Sequence, residues 1–206
     1  MADLNFPRVR DTGTHPDSLR RLTVVEEEEQ IRLVLDGSLE QIHRSWSSTF
    51  SFQSPDREIQ DPLTYATLWS KELTLAALQA QQEIASLSKE EARKLLQQQE
   101  SEYQKTLQID VYWFSGPDGS PITGPGARVR LRDGAGNSYA PTDEEGGPLR
   151  STTVAGGNTV LYRRNIFHFP RTVDGQDILE ETRELNLRIT PTGGPTIQFG
   201  WSWENR

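Results

Sequence analysis

Residues 88–114 read SKEEARKLLQQQESEYQKTLQIDVYWF, and two periodicities follow each other in this stretch. Ser88 and Glu91 have the spacing of a capping box, in which each side chain bonds a backbone N–H at the start of a helix. Apolar residues then recur at helical spacing up to Leu107, and charged and amide residues occupy the opposite face. From Leu107 to Phe114 apolar residues occupy every second position, as in a strand. The stretch therefore predicts an amphipathic helix that leads into a core strand.

The sequence after this strand predicts a series of short strands. Glycine and proline become frequent, lysine disappears, and alternating segments recur between turn signals. This spacing indicates an antiparallel sandwich or barrel rather than a parallel sheet. The predicted class is mainly β with a helical segment (α+β): an antiparallel, immunoglobulin-like β-sandwich of about seven to nine strands plus a helical pair. The segments that predict strands from Leu107 onward are 107–114, 127–132, a piece around Tyr139, 151–155, 159–169, 184–190 and 196–203.

The first residues have a different composition. Residues 1–22 are rich in Pro, Thr and Asp and have almost no periodic apolar pattern. We interpret them as a flexible N-terminal tail or surface strap, because such a segment has little apolar surface to bury. Residues 23–206 are then predicted to form a single β-sandwich domain.

Two further elements are predicted before residue 107. Alternation ahead of Asp36-Gly37 indicates a hairpin, with a return strand that reaches Phe52 after a bulge or helical turn near His43. Asp61-Pro62 is a favourable helix start, and the apolar spacing after it predicts a helical segment over about 61–106. Tyr65, Thr67 and Trp69 also alternate as in a strand, so the first turns of this segment fit either structure.

Charge and composition restrict the partners. The chain carries 22 basic and 30 acidic residues, a net charge of -8, and mean hydropathy is -0.68. Such a balance repels phosphate backbones and anionic lipid, so we expect no nucleic-acid partner. No stretch approaches the length of a membrane span. Cysteine is absent, which excludes disulfides, thiol catalysis and thiolate metal sites.

The sequence predicts neither a catalytic site nor a cofactor. It contains three histidines, one of them in the predicted tail, and no nucleophile elbow, Walker loop or dinucleotide fingerprint. Asp133-Gly-Ala-Gly-Asn137 lacks the later ligands of a calcium loop and is interpreted as a turn. We therefore expect no metal, no cofactor and no catalytic residue, and the chain is more consistent with a binding protein than with an enzyme.

Two tryptophans are candidate ligand-binding residues. Trp201 and Trp203 share one face of the last predicted strand with Phe199. If that face were outward and flat it could stack a sugar, whereas an inward face would close the core of the sandwich.

Two arginines are the other candidates. Arg163 and Arg164, with Arg171 after them, form the local basic cluster of the sequence. They could bind an anion, or they could form ion pairs with an acidic group before the next strand. That acidic group consists of Glu180, Glu181 and Glu184.

These observations favour a non-enzymatic β-sandwich interaction or structural module that binds an unknown protein partner. Two alternatives remain open: a carbohydrate-binding module that uses Trp201 and Trp203, and a hydrolase that depends on paired carboxylates. The turn-rich, cysteine-free second half is typical of modules on the extracytoplasmic side of a bacterial envelope, the periplasm or cell surface. The first residues lack a signal peptide, so this location requires one that is absent from the sequence.

Overall fold

The structure is a computed structural model, and it describes residues 9–50, 64–80, 84–114, 127–153, 157, 159–192 and 196–204. Strands make up 47% of it, in several sheets with a few helices, so the chain is mainly β and of the α+β class. In these ranges no helix is long and apolar enough to cross a membrane.

The described ranges contain fifteen strands and four α-helices. The strands are β1 Val9–Asp11, β2 Leu22–Glu26, β3 Ile31–Leu35, β4 Ser47–Phe50, β5 Thr64–Leu68, β6 Thr106–Phe114, β7 Arg128–Asp133, β8 Ser138–Tyr139, β9 Asp143–Gly146, β10 Arg150–Thr153, β11 Thr159–Pro170, β12 Thr172–Val173, β13 Gln176–Asp177, β14 Glu184–Thr190 and β15 Ile197–Ser202. The helices are α1 Leu39–Ser45, α2 Lys71–Ala80, α3 Lys89–Tyr103 and α4 Ile178–Glu181, and a 3₁₀ turn spans Ile84–Ser86. A strand occurs at each of the seven segments predicted from Leu107 onward, and β9, β12 and β13 are additional short strands.

Strand β6 is central in the larger sheet. The strand order is β10-β11-β6-β5-β4, with β9 also paired to β11, and all the pairs are antiparallel. Ile109 and Val111 of β6 are completely buried, as their alternation predicts, and Leu107 and Trp113 are almost completely buried. This side of β6 is the inner face of the sheet, and the side that carries Tyr112 is its outer face.

The second sheet has five strands in the order β1-β15-β14-β7-β8. It meets the inner face of the larger sheet through aromatic and polar contacts. The rings of Trp113 and Phe199 lie 6.4 Å apart edge to face, and the Gly200 N–H of β15 donates to Ser48 Oγ of β4 at 3.1 Å. The core therefore includes side chains from both sheets.

The described part of the N-terminal segment is a strap that is packed on the domain. β1 pairs in parallel with β15, and His15 is only 7% exposed, with its Nε2 3.1 Å from the Leu179 carbonyl oxygen. Asp17 accepts a hydrogen bond from Arg171 at 2.8 Å. Sequence periodicity did not reveal this attachment, because it depends on ion pairs and on one short strand. Residues 9–21 are therefore packed on the protein as a surface strap.

The strand before Asp36-Gly37 pairs with a different strand from the one that the sequence predicted. β3 pairs with the preceding β2, and Asp36-Gly37 leads into α1 instead of a return strand. Ser38 and Gln41 form a capping box, with the Ser38 N–H donating to Gln41 Oε1 at 2.9 Å, and this cap starts the helix. The helical turn predicted near His43 is confirmed as the last part of α1. Phe52 lies outside the described residues.

The helical segment begins later than the sequence suggested. Residues 64–68 form β5, so the strand that the alternation of Tyr65 and Thr67 indicated is the correct interpretation of these residues. Ser70 Oγ accepts from the Leu73 N–H at 3.1 Å at the start of α2. The capping box of Ser88 and Glu91 starts α3 as predicted. The proposed start at residues 61 and 62 lies outside the described residues.

Candidate functional site

Four aromatic rings lie side by side on the outer face of the larger sheet. Tyr65 and Tyr112 are stacked, with centroids 4.7 Å apart and planes 16° apart. Tyr162 stacks on Phe114 at 5.7 Å and on Tyr112 at 6.3 Å. All four side chains are half-buried. We call Tyr65, Tyr112, Phe114 and Tyr162 the aromatic row.

Strand register produces the aromatic row. Tyr65 of β5 lies opposite Tyr112 of β6, and Phe114 of β6 lies opposite Tyr162 of β11. Directly opposed side chains on neighbouring strands point to the same face and touch. Because Tyr112 and Phe114 alternate with the buried Val111 and Trp113, β6 has apolar residues on both faces.

An ion pair lies beside the row. Asp110 is completely buried, and its Oδ2 accepts from Arg164 Nε at 2.9 Å and from Nη2 at 2.6 Å. Its Oδ1 accepts from the Gln108 amide at 2.9 Å. The Arg164 guanidinium lies 6.0 Å from the centre of the Tyr112 ring, a cation–π distance. Charge on this face is therefore neutralised locally, and Arg164 is held in one orientation.

His43 of α1 contacts the first ring of the row. Its ring lies edge-on to Tyr65 at 6.1 Å, and its Nε2 is 3.3 Å from Thr67 Oγ1, which contacts Ser47 Oγ at 2.8 Å. Burial and the charge of Arg164 lower the His43 pKa, although Asp110 opposes them. The imidazole is therefore neutral at pH 7. Thr67 is completely buried, so its hydroxyl is not open to a substrate.

The phenols of Tyr65 and Tyr112 are protonated hydrogen-bond donors. Burial raises the pKa of Tyr65 and of Tyr112, and for Tyr65 the neighbouring Tyr112 adds to the effect. Among the described residues, no hydrogen-bond partner is found for the hydroxyls of Tyr65, Tyr112 and Tyr162. The row therefore offers apolar ring surface together with unused polar groups.

A groove continues from the Tyr65 end of the row. It has a volume of about 700 Å³ and runs between β1, α1 and β4. It is lined by Val9, Arg10, Glu40, His43, Arg44, Ser47, Ser48, Thr49 and Tyr65.

The two tryptophans predicted as ligand-binding residues are in the core. Trp201 is 0% exposed and Trp203 is 4% exposed, and Phe199 beside them is 0% exposed. A buried ring has no free face for a sugar, so these side chains close the core, the other interpretation of the sequence. The carbohydrate hypothesis therefore loses the surface on which it was based.

The arginine cluster is divided between different partners. Arg164 pairs with Asp110, while Arg171 pairs with Asp17 and Asp177 at 2.8 Å each. Arg163 is exposed. Ion pairing was therefore the correct expectation for Arg164 and Arg171, but their partners are not the acidic residues around 180–184 that the sequence suggested.

The remaining candidates have structural roles. His168 Nε2 lies 3.8 Å from Glu145 on the neighbouring β9. Asp133 accepts hydrogen bonds from the Asn137 backbone and side chain and from the Tyr139 hydroxyl, which confirms the predicted turn. Within the described ranges, no group of three or more histidine or carboxylate side chains could hold a metal ion.

The carboxyl groups with shifted pKa values do not have the direction of shift that an acid catalyst needs. The shifted pKa values are all lowered. In two of the four groups burial is the largest single effect and raises the pKa, but hydrogen bonds and ion pairs together outweigh it. A general acid in a glycosidase needs a raised pKa instead. The four carboxyl groups are Asp17, Glu27, Glu91 and Asp133.

Sequence reasoning did not identify the aromatic row. Tyr112 and Phe114 stood in the outward positions of the core strand, and Tyr65 stood in a stretch interpreted as the start of a helix. The available signal was the presence of aromatic residues on both faces of residues 107–114. Such a strand has more apolar surface than one core can cover.

No protein-family model, no curated protein and no solved structure matches this chain. Its function must therefore be inferred from its own residues.

Proposed function

We propose that this chain is a non-enzymatic binding module, an immunoglobulin-like β-sandwich whose aromatic row binds a protein partner. The observation that carries the proposal is the group of four half-buried, stacked rings on the outer face of one sheet. Contiguous apolar patches on a protein surface commonly mark an interaction site. The predicted location on the extracytoplasmic side of a bacterial envelope belongs to the same proposal, and cell fractionation would test it.

The chemistry of the row favours a protein over a sugar as its ligand. Tyrosine and arginine are enriched in the energetically important part of protein interfaces, because they combine apolar surface with hydrogen-bonding groups. A sugar stacks on an open ring face, but Tyr65 and Tyr112 cover each other at 4.7 Å. The exposed ring edges and free hydroxyls fit the mixed surface of a protein.

The row is also preorganised. Stacking fixes each ring against its neighbour, and the ion pair with Asp110 fixes Arg164 beside Tyr112. Binding then costs little side-chain entropy, which leaves more of the contact energy for affinity. Truncation of a central ring in such a patch typically costs about 2 kcal/mol of binding free energy or more, about 30-fold in Kd.

Site-specific photo-cross-linking in extracts of the native cells tests the proposal. A benzophenone amino acid replaces Phe114 in the row, and in a matched control it replaces Val34, which is 45% exposed on β3 in a separate sheet. Unlabelled chain should compete for the Phe114 product. Chain carrying Tyr112→Ala should compete about 30-fold less well, whereas Val34→Ala, at an exposed residue of β3, should compete like the wild type.

The outcomes separate clearly. A discrete Phe114 product with this competition order supports a protein partner, and a product of twice the chain mass identifies that partner as a second copy. If the product is the same from Val34, or if Tyr112→Ala competes fully, the aromatic row is not the binding surface.

A further inference from the structure

The groove beside Tyr65 concentrates positive charge in an acidic chain. Arg10 and Arg44 line it together with Glu40, and both arginines also line an adjoining groove of about 520 Å³ that includes Arg21 and Asp36, so that three arginines accompany two carboxylates. The chain as a whole carries a net charge of -8, so this concentration is local. The three arginines come from the strap and from α1, which are distant from one another in sequence.

Arg10 is positioned for a ligand. Its Nε donates to the Ser45 carbonyl at 3.2 Å, which holds the guanidinium at the mouth of the groove. Within the described ranges, no partner is found for its terminal nitrogens. Arg44 pairs with Glu40 in an exposed i,i+4 contact, which is weak and can be exchanged for another carboxylate.

The remaining walls supply neutral hydrogen-bonding groups and one ring. Thr49 contributes a hydroxyl, and Ser47 Oγ, which already donates to the His43 carbonyl at 2.8 Å, can act as an acceptor. The His43 imidazole is neutral at pH 7, with one ring nitrogen that donates and one that accepts. Tyr65 and Val9 provide apolar surface. The volume of about 700 Å³ lies within the range of small-molecule sites, about 300–1,000 Å³.

We propose that this groove binds a carboxylated sugar, such as a uronic acid unit of an acidic saccharide. The carboxylate would accept two parallel hydrogen bonds from the guanidinium of Arg10 or Arg44. The ring hydroxyls would bond Ser47, Thr49 and His43, and the apolar side of the sugar ring would lie against Val9. This site goes beyond the proposed protein interface and does not depend on it.

A saccharide fits better than an acidic peptide. Each sugar unit carries several hydroxyls close to its carboxylate, and the groove places two hydroxyls and a neutral imidazole close to its arginines. The groove has mixed polar and apolar walls, which match a polyhydroxylated anion.

Calorimetric titration of the full chain with three probes tests the site. The probes are a galacturonic acid trimer, the uncharged galactose trimer and a tri-glutamate peptide, each at low and at physiological salt. We expect the acidic trimer to bind at least tenfold more tightly than either of the others. Its affinity should fall as salt rises, because exposed charges are screened.

Charge-removing variants then locate the binding. Arg10→Gln and Arg44→Gln should each weaken binding of the acidic trimer by about tenfold. Arg128→Gln removes an exposed arginine on β7 and should have no effect. Arg10→Lys should recover only part of the affinity, because an ammonium lacks the paired donors. Circular dichroism melting confirms that each variant is folded.

Several results would overturn the proposal. These are no binding of the acidic trimer at millimolar concentration, equal binding of the galactose trimer, or preferential binding of the tri-glutamate peptide. Equal losses with Arg128→Gln and Arg10→Gln would mean only non-specific attraction. None of these results affects the cross-linking test at Phe114, so the two proposals can fail separately.

Discussion

Replacing Asp17 with asparagine should loosen the strap by a measurable amount. Asp17 Oδ2 accepts from Arg171 at 2.8 Å, and its Oδ1 accepts from the Tyr103 hydroxyl at 2.9 Å. Arg171 is 1% exposed and, within the part of the chain that the structure describes, keeps Asp177 alone as a charged partner in the variant. Hydrogen bonds to charged groups contribute about 1.5–3 kcal/mol, and breaking a buried pair costs about 3–5 kcal/mol. Because the asparagine oxygen still accepts a hydrogen bond, we expect a loss of about 2–3 kcal/mol, or about 4–12 °C in Tm for a chain of this size.

The loss should depend on pH in a defined direction. Burial raises the pKa of Asp17, but the hydrogen bond and charge of Arg171 outweigh it, and the pKa lies below its usual value. A carboxyl group with a lowered folded-state pKa stabilises the fold above its unfolded pKa of about 3.9. This contribution disappears as pH falls through the folded-state pKa. The difference between the wild type and Asp17→Asn should therefore be full at pH 7 and should narrow below about pH 4.

Urea denaturation at pH 7, 5, 4 and 3 measures this difference. Asp143→Asn is the matched control, since it removes an exposed carboxylate on β9, and it should change stability by less than about 0.5 kcal/mol. If the gap for Asp17→Asn is as large at pH 3 as at pH 7, the charge of Asp17 does not hold the strap. Equal losses in the two variants would lead to the same conclusion.

Two further changes test the core and the outer face. Leu107, on β6, is 1% exposed, and Leu107→Ala should lower the free energy of unfolding, measured with urea, by about 2–5 kcal/mol. Leu149→Ala, at an exposed residue, should lower it little. Equal effects of the two changes would contradict the central position of β6. The His43 imidazole should titrate below its usual value of 6.5 when followed by NMR, and its contribution to stability should decline as pH falls below about 6.5, because the folded state disfavours the charged form. A midpoint at or above the usual value would contradict the burial of His43 against Tyr65.

Local signals in the sequence predicted the elements they directly encode. The capping box of Ser88 and Glu91 and the alternation from Leu107 gave α3 and β6, because both depend on neighbours within a few residues. The prediction of a hairpin at Asp36-Gly37 was wrong because it, too, relied on neighbouring residues alone. A second local signal, Ser38 followed three residues later by Gln41, supplied the helix cap that decided this region.

The candidate site depends on information that one strand does not contain. Tyr65 and Tyr112 become neighbours only through the register between β5 and β6, and Tyr162 joins them through β11. Arg164 was recognised as a charge that needed a partner, but its partner is the buried Asp110 on the adjacent strand. Single-sequence periodicity gives the face on which a residue lies and not the strand that lies beside it.

The position of the ion pair strengthens the argument for a binding face. A completely buried carboxylate is costly unless it is paired, and a well-packed apolar residue at Asp110 would often be at least as stable. The pair does, however, fix Arg164 beside Tyr112, with 39% of its side chain exposed to solvent. The fold thus contains a buried charge that orients a surface arginine beside the aromatic row. Orientation of a tyrosine and an arginine before contact is what a preorganised protein interface requires.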